Sequence, residues 1–255
     1  MYEFDAIASY YDAMYSDRNE DVGFYLNVVK EIGSPVLECG CGTGRVLIPI
    51  AESGQEIWGI DGSQAMLNIA KGKLQNLKSA VQKNVHLSHQ DMREFHLERS
   101  FALCIVPFRA FLHLLTISDQ DKALDQIHKH LRRRGKLVLD IFAPSYELLA
   151  QGTTNLHLEQ KLNPETNNKI TIKDQVRYEH AKQIIYVERC YEEREENGQV
   201  HRKIMPFTLR YIFRYEMQAI LEKNEFQLKE VYGGFDKRPY DYQSGEMIFV
   251  AEKVG

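Results

Sequence analysis

Cysteine is scarce here, four residues in a chain of 255, and its placement excludes a disulfide-stapled secreted fold. Cys39 and Cys41 stand too close together for an ordinary bridge, and no second Cys or His pair lies at zinc-ligand spacing. We read Cys39, Cys41, Cys104 and Cys190 as small buried side chains, with no metal expected. An excess of positive charge is also missing. Lys and Arg number 32 against 36 Asp and Glu, for a formal net charge of −4. The basic footprint that grips a nucleic-acid backbone is therefore absent. The run Arg132-Arg133-Arg134 is expected at a helix end, where it complements the dipole. No apolar stretch approaches the ~20 residues of a membrane span, and Met1-Tyr2-Glu3-Phe4-Asp5 carries no apolar signal segment. A cytoplasmic protein is expected, with no membrane or nucleic-acid partner.

What is present is an ordinary globular balance, 44% apolar and 27% charged, in a length that suits one α/β domain with an insertion. Phe4, Ile7, Tyr11 and Tyr15 recur at helical spacing, as do Phe24, Leu26, Val29 and Ile32. Gly33-Ser34-Pro35 ends that pattern. Strands and helices then alternate. Strands are predicted at 36–38, 56–60, 85–89, 101–106 and 136–142, and helices at 43–53, from Ser63 to about Lys78, and from Asp119 to about Leu131. Strict alternation predicts a parallel sheet covered on both faces.

From 156 to 211 the pattern changes to polar–apolar alternation punctuated by Asn167-Asn168 and Asn197-Gly198. Four antiparallel strands are predicted, at 156–163, 169–178, 183–194 and 200–210, with Glu192, Glu193, Glu195 and Glu196 at a solvated tip. A helix from Arg214 to Lys223 and two strands, Gln227 to Tyr232 and Met247 to Glu252, complete the chain. The expected division is a core of 1–150 and 212–255 with an N-terminal helical lid, and an inserted β subdomain at 151–211.

The chemistry concentrates in Val36-Leu37-Glu38-Cys39-Gly40-Cys41-Gly42-Thr43-Gly44, which leaves the first strand and enters the first helix. Glycines there let backbone approach a ligand, and the N–H groups beyond them favour an acceptor. Three details sharpen this. Arg45 stands where a dinucleotide fingerprint needs a small residue. Glu38 suits a ligand with an ammonium group and repels a pyrophosphate. Asp61, ending the second strand, suits ribose hydroxyls. Gln90-Asp91-Met92-Arg93 follows the third strand, where Asp91 suits an adenine amino group and Met92 its ring.

Taken together, these residues resemble the class I S-adenosylmethionine-dependent methyltransferases, and the likeness runs the length of the chain. The branch it is most similar to holds sugar-amine and glycine-type N-methyltransferases. The matching motifs are Glu38 to Gly44, Ile60-Asp61-Gly62-Ser63, Gln90-Asp91-Met92, Pro107-Phe108 and Leu131 to Gly135. The resemblance implies a Rossmann-like seven-stranded, mostly parallel sheet with helices on both faces, plus an inserted antiparallel sheet. It implies S-adenosylmethionine as cofactor, S-adenosylhomocysteine as product and a small-molecule methyl acceptor. Cofactor contacts are implied at Tyr11, Tyr15, Arg18, Glu38, Cys39, Gly40, Gly42, Gly44, Asp61, Gly62, Met66, Asp91, Met92, Pro107 and Phe108. In that branch an N-terminal helix covers the cofactor, which sets Tyr15 near the methyl group and Arg18 on the methionine carboxylate.

Methyl transfer is an in-line displacement in which alignment and exclusion of water carry most of the catalysis. Tyr15 and Phe108 offer aromatic faces to a sulfonium. His113 follows the fourth strand, as a base for an acceptor that must lose a proton or as a packing residue. Arg109 and Phe235 are candidate acceptor contacts, and Tyr178, Tyr186, Tyr191 or Phe207 candidate roof residues. Asp140 reads as structural. A monomer or a homodimer fits equally. Two other readings stand beside this one: a non-catalytic binder of S-adenosylmethionine or S-adenosylhomocysteine, and a nicotinamide-dependent oxidoreductase, which Glu38 and Arg45 disfavour.

Overall fold

The computed structural model describes residues 4, 5, 8–15, 18–163, 166–195 and 197–255. The expected roles of Ile7 in the first helix and Glu196 at the acidic tip lie outside the described residues. Two helices, α1 (Ala8–Tyr15) and α2 (Glu20–Ile32), precede the alternating region. There, β1 (Val36–Cys39), α3 (Leu47–Glu52), β2 (Ile57–Asp61), α4 (Gln64–Gln75), α5 (Ser79–Gln82) and β3 (Val85–His89) follow in order. The chain continues through β4 (Phe101–Val106), a 3-10 turn (Ala110–His113), α6 (Ile117–His130), β5 (Leu131–Phe142) and α7 (Tyr146–Gln151). Four long strands come next, β6 (Thr153–Leu162), β7 (Lys169–Glu179), β8 (Ile184–Arg194) and β9 (Val200–Arg210). The last elements are α8 (Arg214–Lys223), β10 (Phe226–Tyr232) and β11 (Glu246–Lys253).

Seven strands form one sheet in the order β10-β11-β5-β4-β1-β2-β3. Strands β3, β2, β1, β4 and β5 pair parallel, and β11 runs against β5 and β10. Every residue of β1 and β4 is buried, as continuous apolar runs in a two-sided sheet require. Alternate side chains feed two cores. Leu37, Cys39, Cys104 and Val106 join the α6 and α8 side, while Val36, Leu103 and Ile105 join the α2 and α3 side. Chain order reverses between β1 and β4, which opens a crevice at their carboxyl ends.

The second sheet, β6-β7-β8-β9, is antiparallel throughout. One face carries Ile170, Ile172, Val187 and Met205 inward. Met14 of α1 packs there with Ile170, Ile172, Tyr191 and Met205, so α1 lies between the two sheets.

Several boundaries differ from the sequence reading. Glycine turns occupy the segment after β1, so α3 begins at Leu47 rather than 43. Thr116 caps α6 by accepting from the Asp119 N–H at 3.1 Å, which starts that helix at Ile117. Strand β5 starts at Leu131, so Arg132, Arg133 and Arg134 project from a strand and not from a helix end. Arg134 takes a left-handed φ of 60° where the chain bends into the long run, and its guanidinium meets Glu252. Glu193 is also corrected. It is buried and accepts from Thr166, Asn163 and Asn168 at 2.8, 2.9 and 3.0 Å and from the Tyr10 hydroxyl at 3.3 Å. A carboxylate with that many donors is a hub, not a solvated tip.

Candidate active site

A cavity of about 800 Å³ opens at the carboxyl ends of β1, β2 and β4, bounded above by α1 and the second sheet. That is the size of a site for a drug-sized ligand and more.

The glycine turn forms its floor. Gly40 has a φ of 76°, and a Cβ there would sit 2.8 Å from the Ala110 Cβ. Gly42 (φ 52°) has open space beside it and donates its N–H to Asp61 Oδ2 at 2.8 Å. Asp61 Oδ1 accepts from the Ser63 N–H at 2.7 Å. The carboxylate is thus aimed by two backbone donors and lines the cavity. Burial raises its pKa, against the pull of those hydrogen bonds. Gly62, Met66 and Met92 complete this end. Asp91 lies there too, clasped by Arg93 at 2.6 and 2.9 Å.

Three expected contacts stand behind the wall. Gly44 backs onto Ile48 and Ala70, so its missing Cβ serves helix packing. Cys39 points into the core, with its Sγ 3.7 Å from that of Cys104. Glu38 is buried beneath the turn, and its Oε2 has no hydrogen-bond partner among the described residues. Burial pushes its pKa well up, with Arg45 opposing. A buried carboxylate oxygen without a donor is costly, and a bound ammonium group is the chemistry that relieves it.

Phe108 forms the boundary between the two ends of the cavity. Its ring lies 4.8 Å from Tyr15 and 6.4 Å from Tyr11, edge-on to both. Arg45 stacks 4.6 Å above it and Arg18 5.9 Å. Arg45 also grips Asp21 through both nitrogens and reaches the Arg18 carbonyl at 2.9 Å. Pro107 precedes Phe108 in the wall, and Arg109 follows it, paired with Glu246 at 2.5 Å and lying over Phe142.

Helix α1 is tied to both sides. Asp12 accepts from the Thr43 hydroxyl at 2.6 Å and pairs with Lys73 at 2.7 Å. The Tyr15 hydroxyl accepts from Arg189 Nη1 in β8 at 2.8 Å. His113 lines the cavity between Phe4 and Phe207, at 5.1 and 6.3 Å. Burial lowers its pKa to about 4, a backbone bond at Thr208 opposing, so the ring is neutral near pH 7.

Of the candidate roof residues, Tyr178 and Phe207 line the cavity, whereas Tyr186 bonds Glu179 at 2.8 Å and Tyr191 packs against Tyr10. Phe235 lies outside the cavity wall, packed edge-on against Phe24 at 5.9 Å. The Gly233-Gly234 turn folds its loop back towards α2, where Lys237 meets Glu31 at 2.7 Å. Sequence reasoning missed Arg189 and Asp174, which face one another across β7 and β8. The strand register of the meander was their only available signal. It also left Asp140 as structural, although a lone charge inside the apolar run Leu137 to Phe142 marked it. Among the described residues no group of three or more His, Cys, Asp or Glu converges as metal ligands.

A glycine-floored cavity thus lies at the switch point of a seven-stranded sheet, with Glu38 inside the first strand and Asp61 ending the second. Residues 36–135 match a family described as a methyltransferase domain. It is similar to the glycine/sarcosine N-methyltransferase of Aphanothece halophytica, 26% identical over 240 residues, which cover 90% of this chain and 80% of that protein. It is 31% identical over 124 residues to the dTDP-3-amino-3,6-dideoxy-alpha-D-glucopyranose N,N-dimethyltransferase of Streptomyces fradiae, a match covering 46% of this chain and 45% of that one. Among solved structures, the CcbJ methyltransferase from Streptomyces caelestis superimposes with a TM-score of 0.81 at 22% identity, covering 94% of this chain and 98% of that one. No helix among the described residues is long and apolar enough to cross a membrane.

Proposed function

We propose that this chain methylates a nitrogen of a small-molecule acceptor, with the cofactor at the glycine floor and the acceptor beneath the second sheet. The observation that carries this is an orphaned Glu38 oxygen buried behind the glycine floor, together with an Asp61 carboxylate that lines the cavity. Glu38 suits the ammonium end of S-adenosylmethionine, Asp61 its ribose hydroxyls, Asp91 and Met92 its adenine, and Arg18 its carboxylate. Bound there, the cofactor supplies a methyl group on a cationic sulfur. Tyr15 and Phe108 present ring faces and edges at the boundary of the two ends, suited to orienting that cation. The contacts of Asp12 and Tyr15 hold the lid over the cavity, and His113 stays neutral beside it. The relatives' nitrogen chemistry favours an amine acceptor. The division into a core of 1–150 and 212–255 and an insertion at 151–211 follows the two sheets and belongs to this reading, as does a soluble, cytoplasmic setting. Calorimetric titration with S-adenosylhomocysteine and with NAD tests it. Saturable binding of the first alone is expected, and binding of NAD alone would overturn it.

A further inference from the structure

The wall of the cavity divides sharply in its chemistry. Towards the second sheet it is mostly apolar, built from Ile172, Val176, Ile185, Val187, Met205 and Phe207, with Tyr178 and Thr208 adding uncharged hydroxyls. The charged groups near that end are already matched. Arg189 Nε and Nη2 meet the two oxygens of Asp174 at 2.7 Å each, and Nη1 goes to Tyr15. Arg109 is on Glu246 and Arg93 on Asp91. Asp61 is held by two backbone N–H groups. Among the described residues, Arg18 is the cavity-lining cation that pairs with no carboxylate, and it lies at the lid beside Phe108.

We propose that the acceptor is an amine on a compact hydrophobic body that carries no carboxylate or phosphate of its own. This rests on the methyl-transfer reading and narrows it. Among the described residues one unmatched cation of the cavity wall, Arg18, answers the one carboxylate of the cofactor. An acceptor carboxylate beneath the sheet must displace Asp174 from Arg189, leaving a buried charge alone, or go unpaired itself. The same walls select the protonation state. Among the described residues no carboxylate there is left to hold an ammonium, and apolar surroundings lower an amine's pKa, so the acceptor enters as the free base. Its lone pair then forms the new C–N bond as the C–S bond breaks, the bonding electrons pass to sulfur, and the nitrogen sheds one proton to water. Glycine and sarcosine, which the Aphanothece relative is named for, lack the apolar body and bring the carboxylate.

The test uses matched pairs that differ by one carboxylate: phenethylamine with phenylalanine, and 3-methylbutylamine with leucine, with glycine as a fifth ligand. Each is titrated calorimetrically into protein saturated with S-adenosylhomocysteine, and turnover is then followed with S-adenosylmethionine. Each amine is expected to bind at least tenfold more tightly than its amino acid, with turnover in the same order. An amino acid that binds as well as its amine, or a panel in which no amine binds, overturns the proposal. Failure of S-adenosylhomocysteine to bind in the first step instead removes the methyl-transfer reading beneath it. Asp174→Asn provides a second arm, since it releases Arg189. Preference should move at least tenfold towards phenylalanine, and an unchanged ratio in folded variant overturns the role given to the pair. The wild-type arm decides the matter alone if that variant does not fold.

Discussion

The Asp140 carboxylate accepts the Phe108 N–H at 2.9 Å, and Phe108 is held there in a left-handed conformation with φ of 55°. Arg109, with φ of 65°, donates to the other oxygen at 3.2 Å. The Tyr25 hydroxyl of α2 donates to Asp140 at 2.6 Å. Two consecutive non-glycine residues at positive φ cost about 1–3 kcal/mol each. The buried carboxylate offsets that cost, and the result is a Phe108 ring fixed between Tyr15 and Arg45.

Asp140→Ala should therefore strike both stability and rate. Three donors, the buried Tyr25 hydroxyl and the part-buried N–H groups of Phe108 and Arg109, lose their acceptor, which predicts a loss of about 3 kcal/mol in urea denaturation. Asp140→Asn keeps the shape but sets an N–H₂ against a donor, and about 1–3 kcal/mol is expected. In the folded Asn variant the turnover number should fall roughly 10–100-fold, because small displacements of an aligning ring are expensive. An unchanged turnover number would show that the turn holds its shape without the carboxylate.

The acid limb of stability should contain a term from His113. Its folded pKa is lowered to about 4 by burial, against about 6.5 in the unfolded chain. Between those values the unfolded chain binds the proton and the folded one does not, so this term falls as pH drops from 6.5 towards 4. Asp140, raised to about 6 mainly by burial, works the other way, its term falling as pH rises from about 4 to 6. Subtracting a His113→Gln variant from wild type leaves Asp140 in both and cancels it. The stability difference, measured by urea denaturation at intervals from pH 7.5 to 4, should move against wild type as pH falls. A difference that stays flat would mean that His113 titrates normally.

Asp61→Ala should weaken S-adenosylhomocysteine by about 1.5–3 kcal/mol, the worth of hydrogen bonds to a charged group, or roughly 10–100-fold in Kd by calorimetry. Part of that loss comes through Gly42, whose N–H is aimed by the same carboxylate. Binding unchanged in the variant would move the ribose elsewhere.

The alternating region was legible because buried parallel strands are apolar runs and their ends are marked by Gly, Asp and Pro. The glycine turn and Asp61 were legible for the same reason, since their chemistry is local in sequence. What escaped was non-local. Arg189 meets Asp174 only through an eleven-residue register between β7 and β8, and Glu193 becomes a hub only because Tyr10 and the 163–168 turn fold onto it. Helix ends were misread where a turn borrowed helical residues, as at Thr43 to Val46, or where a strand began with charges, as at Arg132 to Arg134.

Phe235 and Phe207 provide a paired test of where the acceptor sits. Both are aromatic and both were candidates for the acceptor wall, yet Phe207 lines the cavity beside His113 and Phe235 packs against Phe24 on the α2 side of the sheet. Phe235→Ala should cost about 1–3 kcal/mol of stability, as a partly buried ring lost from a core does, and leave the acceptor KM unaltered. Phe207→Ala enlarges the roof and uncovers Arg189, which stacks 5.3 Å from the ring. Its acceptor KM should rise several-fold while binding of S-adenosylhomocysteine changes little. The opposite assignment, a raised KM for Phe235→Ala and a normal one for Phe207→Ala, would put the acceptor on the α2 side and remove the second sheet from the binding site.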